Sequence, residues 1–400
     1  MRREEIEEIE EIEEKPRKIS RGKIAVIVII AIILLVIIVL ISLYVGYKPF
    51  RDWADQSILK KNLSQDDLNS INIENLEETS VLSYDKYIAL LKGSNFKIYN
   101  SEAEQVNSLT VDISNPISYN CKKYLIVAEK EGKKLYFIQG DKKVWNKIIE
   151  GKIQRVCVNK NGYSAVIIEG TTYKSEIKMF DPKGEELFTI HLSQTIAMDF
   201  DISPDNKYIC YGEISNSGTI INSSVKVVSV DKAKTGEEGA VLNSYDGVKG
   251  QIILKLKYSN NNKIVCMFDD SVAVISNGTM EKVEDFNNQE NKINFMDIQI
   301  TDAIIKVYEV TEESNTSSKV EIKNVLTNTL NYSNVNAIVK NVYTSKNQML
   351  AINLGKEIRV FNSSGWIVKD FVSTEEIRDV VMNDNFTGIV YKDRVEILNY

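Results

Sequence analysis

The hydrophobic positions of this chain fall into two unlike patterns. From residue 24 to residue 47 no side chain is charged, and the run IAVIVIIAIILLVIIVLISLYV at 24–45 is apolar almost throughout. Beyond it, apolar residues come in short bursts that alternate with polar ones and are punctuated by Asn, Asp, Gly and Ser. The first pattern predicts one long helix, the second a series of half-buried strands.

At about 1.5 Å per residue the apolar run reaches roughly 33 Å, enough for a hydrocarbon core of about 30 Å. Its many isoleucines and valines would favour a strand in water. In lipid an isolated strand leaves its amides unpaired, whereas a helix satisfies them internally, so residues 24–47 read as a transmembrane helix in contact with the bilayer. Lys15, Arg17, Lys18, Arg21 and Lys23 precede it. By the positive-inside rule they hold the N-terminus in the cytoplasm, which makes the chain a single-pass protein of the cell membrane with its C-terminal domain extracytoplasmic. Tyr44, Tyr47, Phe50 and Trp53 follow at the outer boundary. A cleaved signal peptide is the competing reading, but its apolar core is typically about 7–15 residues and ends at a small-x-small site, which is missing after Leu43. Ahead of the helix, EEIEEIEEIEE at 4–14 places Ile6, Ile9 and Ile12 three apart. That period drifts around a helix and the glutamates repel one another, so a solvated tail is expected, with docking to a cytoplasmic partner as the alternative. The layout is then a Glu-rich and basic tail at 1–23, the helix at 24–47, a juxtamembrane linker at 48–67 with a short helix at 51–63, and an extracytoplasmic domain at 68–400.

That domain contains a repeat. Short strands of the form apolar-x-apolar-apolar begin at Phe96, Leu135, Ile177, Val225, Val272, Val320, Ile358 and Val395, at intervals of 37 to 48 residues. Upstream of nearly every one, a turn leads into a bulky residue, one more residue, and usually a small one: Tyr87 with Ala89, Tyr124 with Ile126, Tyr163 with Ala165, Tyr208 with Cys210, Ile264 with Cys266, Met349 with Ala351 and Phe386 with Gly388. Residues two apart share a strand face, which here is expected to meet the neighbouring repeat. Only the sixth unit, around Ala303 to Val307, departs from the pattern. Four short strands per unit of this length is the spacing of propeller blades.

The run SPDNKYICYG at 203–212 resembles the SPDGKYLAYG turn and strand of WD40-like and PQQ-like β-propeller repeats, and related turns stand at 159–163, 259–263 and 345–348. The resemblance covers about residues 79–400. The layout as a whole is similar to membrane-anchored propeller proteins of unknown function from Gram-positive clostridia, which implies a fold but no activity. The expected fold is all-β: an eight-bladed β-propeller, or a seven-bladed one if the sixth unit is an insertion, preceded by a single N-terminal transmembrane helix. The sequence stops directly after the eighth third strand, so the segment LNSINIENL at 68–76 is expected to supply the missing outer strand and close the ring.

Composition excludes more than it assigns. The net charge is -7, and residues 1–23, with seven Lys/Arg and eight Glu, account for only -1 of it, leaving -6 on the rest. That sign argues against nucleic acid. Cys210 and Cys266 fall at one position of adjacent units and are expected to point the same way, so that buried free thiols are preferred to a disulfide; Cys121 and Cys157 remain as an alternative pair. No CxxC pair supports a metal, no cofactor motif is present, and the lone His191, in an outer strand, has no partner motif. Oxygen ligands alternate at Asp285, Asn287 and Gln289 and at Asp199 and Asp201, without an EF-hand continuation, and read as solvated turns. A dipeptidyl-peptidase layout lacks the hydrolase domain, and a quinoprotein lacks its regular tryptophans, since only Trp145 and Trp366 lie in the blades. No catalytic residue, metal ligand or cofactor is therefore expected. Long connections between second and third strands at 169–176, 213–224 and 312–319 elaborate one face, with Tyr173 and Lys174 as candidate partner contacts. The expected function is a non-enzymatic binding or scaffold module at the cell envelope, facing a protein or cell-wall glycan. The alternatives are a sensor coupled to the tail and an enzyme in the channel mouth, where Asp199 and Asp201 would converge.

Overall fold

The computed structural model describes residues 21–47, 50, 54, 68–215, 218–286, 292–312, 315–346 and 348–400. They fall into two units, Met1–Lys60 and Lys61–Tyr400. In the first, Arg21–Gly46 is one α-helix of 26 residues. Its portion Val28–Gly46 is long and apolar enough to cross a membrane, a test that a signal sequence also passes. From Val28 to Val45 nearly all its apolar side chains are exposed, all round rather than along one stripe. The Glu-rich tail at 4–14, the linker at 48–67 except for residues 50 and 54, and the ligand pattern at Asn287 and Gln289 lie outside the described residues.

The second unit is a propeller of eight four-stranded antiparallel sheets. Blades one to seven each run from the first strand, at the central channel, outward to the fourth. Their first strands are Thr79–Tyr84, Pro116–Cys121, Lys152–Val158, Thr195–Ile202, Ile253–Tyr258, Ile293–Asp297 and Asn341–Thr344. All eight strands anticipated from the repeat are third strands, from Asn95–Tyr99 to Arg394–Asn399. The irregular sixth unit is a complete blade, which settles the count at eight. The eighth sheet combines Asp379–Met382, Phe386–Val390 and Arg394–Asn399 with Asn69–Asn72, which pairs Ile71 with Val395. The Ile73 amide adds a bond to the Asp393 carbonyl at 2.7 Å. Both isoleucines are buried, at roughly 1.5–3 kcal/mol per side chain removed from water, so the closing strand is fastened by packing as well as by its ladder.

The core lies between sheets. Ala89 and Leu91 of the first blade, for example, share a cluster with Leu125 and Val127 of the second. Small residues stand where blades approach closely: a Cβ on Gly388 would lie 2.9 Å from Val381 and 3.1 Å from Ile88 of the first blade.

Three expectations need correction. Cys210 and Cys266 do not point the same way. The Ser203 amide bonds to the Tyr208 carbonyl, whereas the Ser259 amide bonds to that of Lys263, so the fifth-blade turn is one residue shorter. A one-residue shift transfers every side chain of a strand to its other face. Cys266 therefore faces the fourth blade and shares one cluster with Cys210, while Val265 and Met267 face Ile298 and Ile304 of the sixth. All four cysteines are free, Cys121 being only partly buried. The connection at 312–319 is largely strand, Glu312 pairing with Asn315, and that at 213–224 is shortened by strand at both ends, Ser215 pairing with Asn222. Finally, Asp199 and Asp201 lie in the first strand of blade four, Thr195–Ile202, not in a solvated turn.

Candidate functional site

The eight first strands wall a central channel that opens into two chambers. The upper, of about 1330 Å³, is bounded by the starts of these strands and by second-to-third-strand connections, including Lys130, Glu131, Gly170, Tyr173 and Lys174. The lower, of about 320 Å³, is bounded by first-to-second-strand turns, among them Asp85, Lys122, Thr301, Ser345 and Asp384. Asn120 and Lys346 border both.

Tyr173 and Lys174 thus sit on the rim of the upper chamber, brought there by the connection between the strands Ser164–Glu169 and Ser175–Phe180. That loop is held down. The Lys174 amide bonds to the Leu192 carbonyl at 3.0 Å and its Nζ donates to the Gln194 carbonyl at 3.0 Å. The Tyr173 ring packs on His191 with centroids 4.4 Å apart, and His191 Nδ1 lies 3.7 Å from Glu176. His191 is in the outer strand Glu186–Leu192 and does not reach the channel.

The channel walls are charged in a way the strand alternation announces. TIAMDFDI and ILKLKY place Asp199 and Asp201, and Lys255 and Lys257, two apart on adjacent first strands. Asp199 Oδ2 accepts the Leu256 amide at 2.9 Å, and Asp201 Oδ2 accepts the Tyr258 amide at 2.8 Å. The first strands of blades four and five share no ladder, so these carboxylates satisfy amides that a neighbouring strand would otherwise take. Asp201 also accepts the Cys157 thiol at 3.3 Å. Burial raises the Cys157 thiol well above its ordinary pKa, with the Asp201 charge adding to the effect, so it stays protonated and unreactive. Burial likewise pushes the Asp199 carboxyl up to about 6, against the pull of Arg155 at 3.8 Å. Lys255 pairs with Asp297 at 3.1 Å.

Between the chambers, three blades meet on one ring. Tyr119 of blade two takes a hydrogen bond from Lys257 Nζ of blade five at 2.9 Å, with that nitrogen 5.4 Å from the ring centroid. Lys346, in the turn of blade seven, sets its Nζ 3.9 Å from the same centroid. Burial, reinforced by Lys257, lowers the Lys346 ammonium to about 8. Sequence reasoning missed Tyr119, Lys257 and Lys346, which lie in three different blades. Only the alternation in ILKLKY hinted that lysines face the channel. Among the described residues no group of three or more His, Cys, Asp or Glu could hold a metal ion.

Residues 59–399 match a family of unknown function, DUF5711. No curated protein matches the sequence. Of solved structures, the C-terminal WD40 domain of Sif2 aligns with a TM-score of 0.54 at 12% identity, covering 82% of this chain and 97% of that one. BamB from Moraxella catarrhalis aligns with a TM-score of 0.47 at 10% identity, covering 83% and 98% respectively. At such identities the likeness speaks to fold alone.

Proposed function

The chain belongs to DUF5711, a family of unknown function, so membership brings no activity with it, and we propose from its geometry that it is a membrane-tethered binding module. Residues 24–47 anchor it in the bilayer with the N-terminus cytoplasmic, and the propeller displays its upper face outside to a segment of a partner protein. The observation that carries this reading is the upper chamber of about 1330 Å³, open at a rim that includes Tyr173 and Lys174. A concave surface with an aromatic and a cation at its edge suits an anchored side chain surrounded by polar contacts. Binding is preferred to catalysis because the carboxylates of blade four and the cations Arg155 and Lys255 in the wall are already engaged. Asp199 and Asp201 accept backbone amides, and Arg155 and Lys255 face carboxylates, so these groups serve the architecture of the ring.

The test is a photo-crosslinking residue placed at Tyr173 in intact cells. A discrete protein adduct, lost on Lys174→Glu, is expected. Adducts to cell-wall glycan alone, or protection of the propeller from protease added outside the cells, would overturn the reading.

A further inference from the structure

We propose that the lower chamber is a binding site for a small oxyanion of the phosphate or sulfate class, held between Lys257 and Lys346. The proposal concerns the opposite mouth from the partner site and does not rest on that reading. Four cations project into the channel from the described residues discussed above, and they divide in two. Arg155 and Lys255 each face a carboxylate, at 3.8 and 3.1 Å. Lys257 and Lys346 converge on Tyr119, and among the described residues neither has a carboxylate within ion-pair distance. A phenol oxygen and a ring face stabilise an ammonium, but neither neutralises it. Two cations near one another in a confined channel repel, and Lys346, whose pKa is lowered first by burial, is lowered further by Lys257.

A second observation points to the same place. Asn383 lines the lower chamber, and its side-chain nitrogen is buried with no partner. Its Oδ1 is used, accepting the Asn385 and Phe386 amides at 2.8 and 3.0 Å, so the amide orientation is set and the unused group is a donor. A buried donor without a partner is destabilising unless something accepts from it. Asn120 and Lys122 add further donors to the lining, whereas the Thr301 hydroxyl is taken by the Lys346 carbonyl at 3.3 Å. Two carboxylates also line it, Asp85 in the first-blade turn and Asp384, which accepts the Ser345 hydroxyl at 2.6 Å, against the three ammonium groups of Lys122, Lys257 and Lys346. A net surplus of positive charge, two ammonium groups without an ion-pair partner and unused donors around about 320 Å³ fit a compact anion.

The test is thermal unfolding and calorimetric titration of the full chain in detergent micelles with inorganic phosphate and with sulfate, against sodium chloride at matched ionic strength. A saturable rise in Tm with phosphate or sulfate is expected, with affinity at least tenfold weaker in Lys346→Met and in Lys257→Met. The Lys255→Met variant, which removes a paired cation, should bind as the parent does. Phosphate and sulfate no more stabilising than matched chloride would overturn the proposal, as would undiminished binding in a folded Lys346→Met protein. Should one lysine variant fail to fold, the other and the titration of the parent chain decide.

Discussion

Two seams between blades hold the outer half of the ring by opposite means. Between blades two and three, Phe137 stacks on Trp145 at 4.9 Å with planes 5° apart, and Trp145 meets Phe180 at 5.9 Å. The indole Nε1 donates to the Pro182 carbonyl at 3.3 Å, so the polar atom of the stack is not left bare. Between blades five and six, Lys306 Nζ lies 2.7 Å from Glu284 and 2.6 Å from Glu321. Lys323 reaches Glu284 at 2.6 Å and the Val283 carbonyl at 3.1 Å. Lys306 is only 3% exposed. Burial works against its charge, but Glu284 and Glu321 outweigh burial and hold its pKa above the ordinary lysine value. The aromatic seam gains from dispersion and area; the ionic seam must first recover the hydration it gave up, and does so only if every partner stays in place. This is also why the sixth repeat looked irregular, since a lysine stands in the second strand where the other repeats carry apolar residues.

The contrast can be broken most severely at Lys306. Lys306→Ala leaves two buried carboxylates short of their shared cation and is expected to cost about 3–5 kcal/mol in urea unfolding. In a double-mutant cycle with Glu321→Gln the two losses should fall well short of additive. Trp145→Ala should cost about 2–3 kcal/mol, below the range for a fully buried tryptophan because one edge is open.

Acid acts on the ionic seam and not on the aromatic one. Burial opposes the Glu284 charge, but hydrogen bonds from Lys306 and Lys323 lower its pKa below the ordinary 4.5. Its contribution is present above the unfolded-state pKa and is lost as pH falls through the folded one. Stability should therefore drop below about pH 4.5 in the parent and in Trp145→Ala, and less steeply in Glu284→Gln, measured by unfolding at each pH.

A smaller effect tests the fit of the aromatic seam. Gly184 has φ +87°, and a Cβ there would lie 2.8 Å from the Trp145 ring. Gly184→Ala is expected to cost about 1–2 kcal/mol, and less in a Trp145→Ala background, where the ring is gone. The smallest effect sharpens the ionic side: Lys92 and Glu74 also approach to 2.7 Å, but at the surface. Lys92→Ala should leave the urea unfolding midpoint unchanged within measurement error, showing that the seam charges matter because of burial and not because of distance.

Much of this architecture was legible in the chain itself. A strand buries one face every second residue, and a blade cannot bury its faces alone, so the 37 to 48 residue spacing of the third strands carried both the fold and the number of blades. The closing role of the segment at 68–76 followed from the missing strand at the far end. The apolar run at 24–45 identified the helix, because nothing but the helix satisfies a backbone that length in lipid. Tyr173 and Lys174 could be placed at a rim, since second-to-third-strand connections share one face.

Other features were settled only when the ring closed. Whether Cys266 faces the fourth blade or the sixth depends on a turn one residue shorter, and SNNNK and SPDNK do not differ in length. The extended hairpin of blade six reads as a loop until its partner strand is seen in register. The meeting of Tyr119, Lys257 and Lys346 spans three blades, and each strand alone says only that a polar residue faces inward. Periodicity is local and determines which side of its own strand a residue occupies. What lies opposite across a channel is a property of the closed circle, because chain ends far apart in sequence must first be joined before blades two, five and seven can face one another.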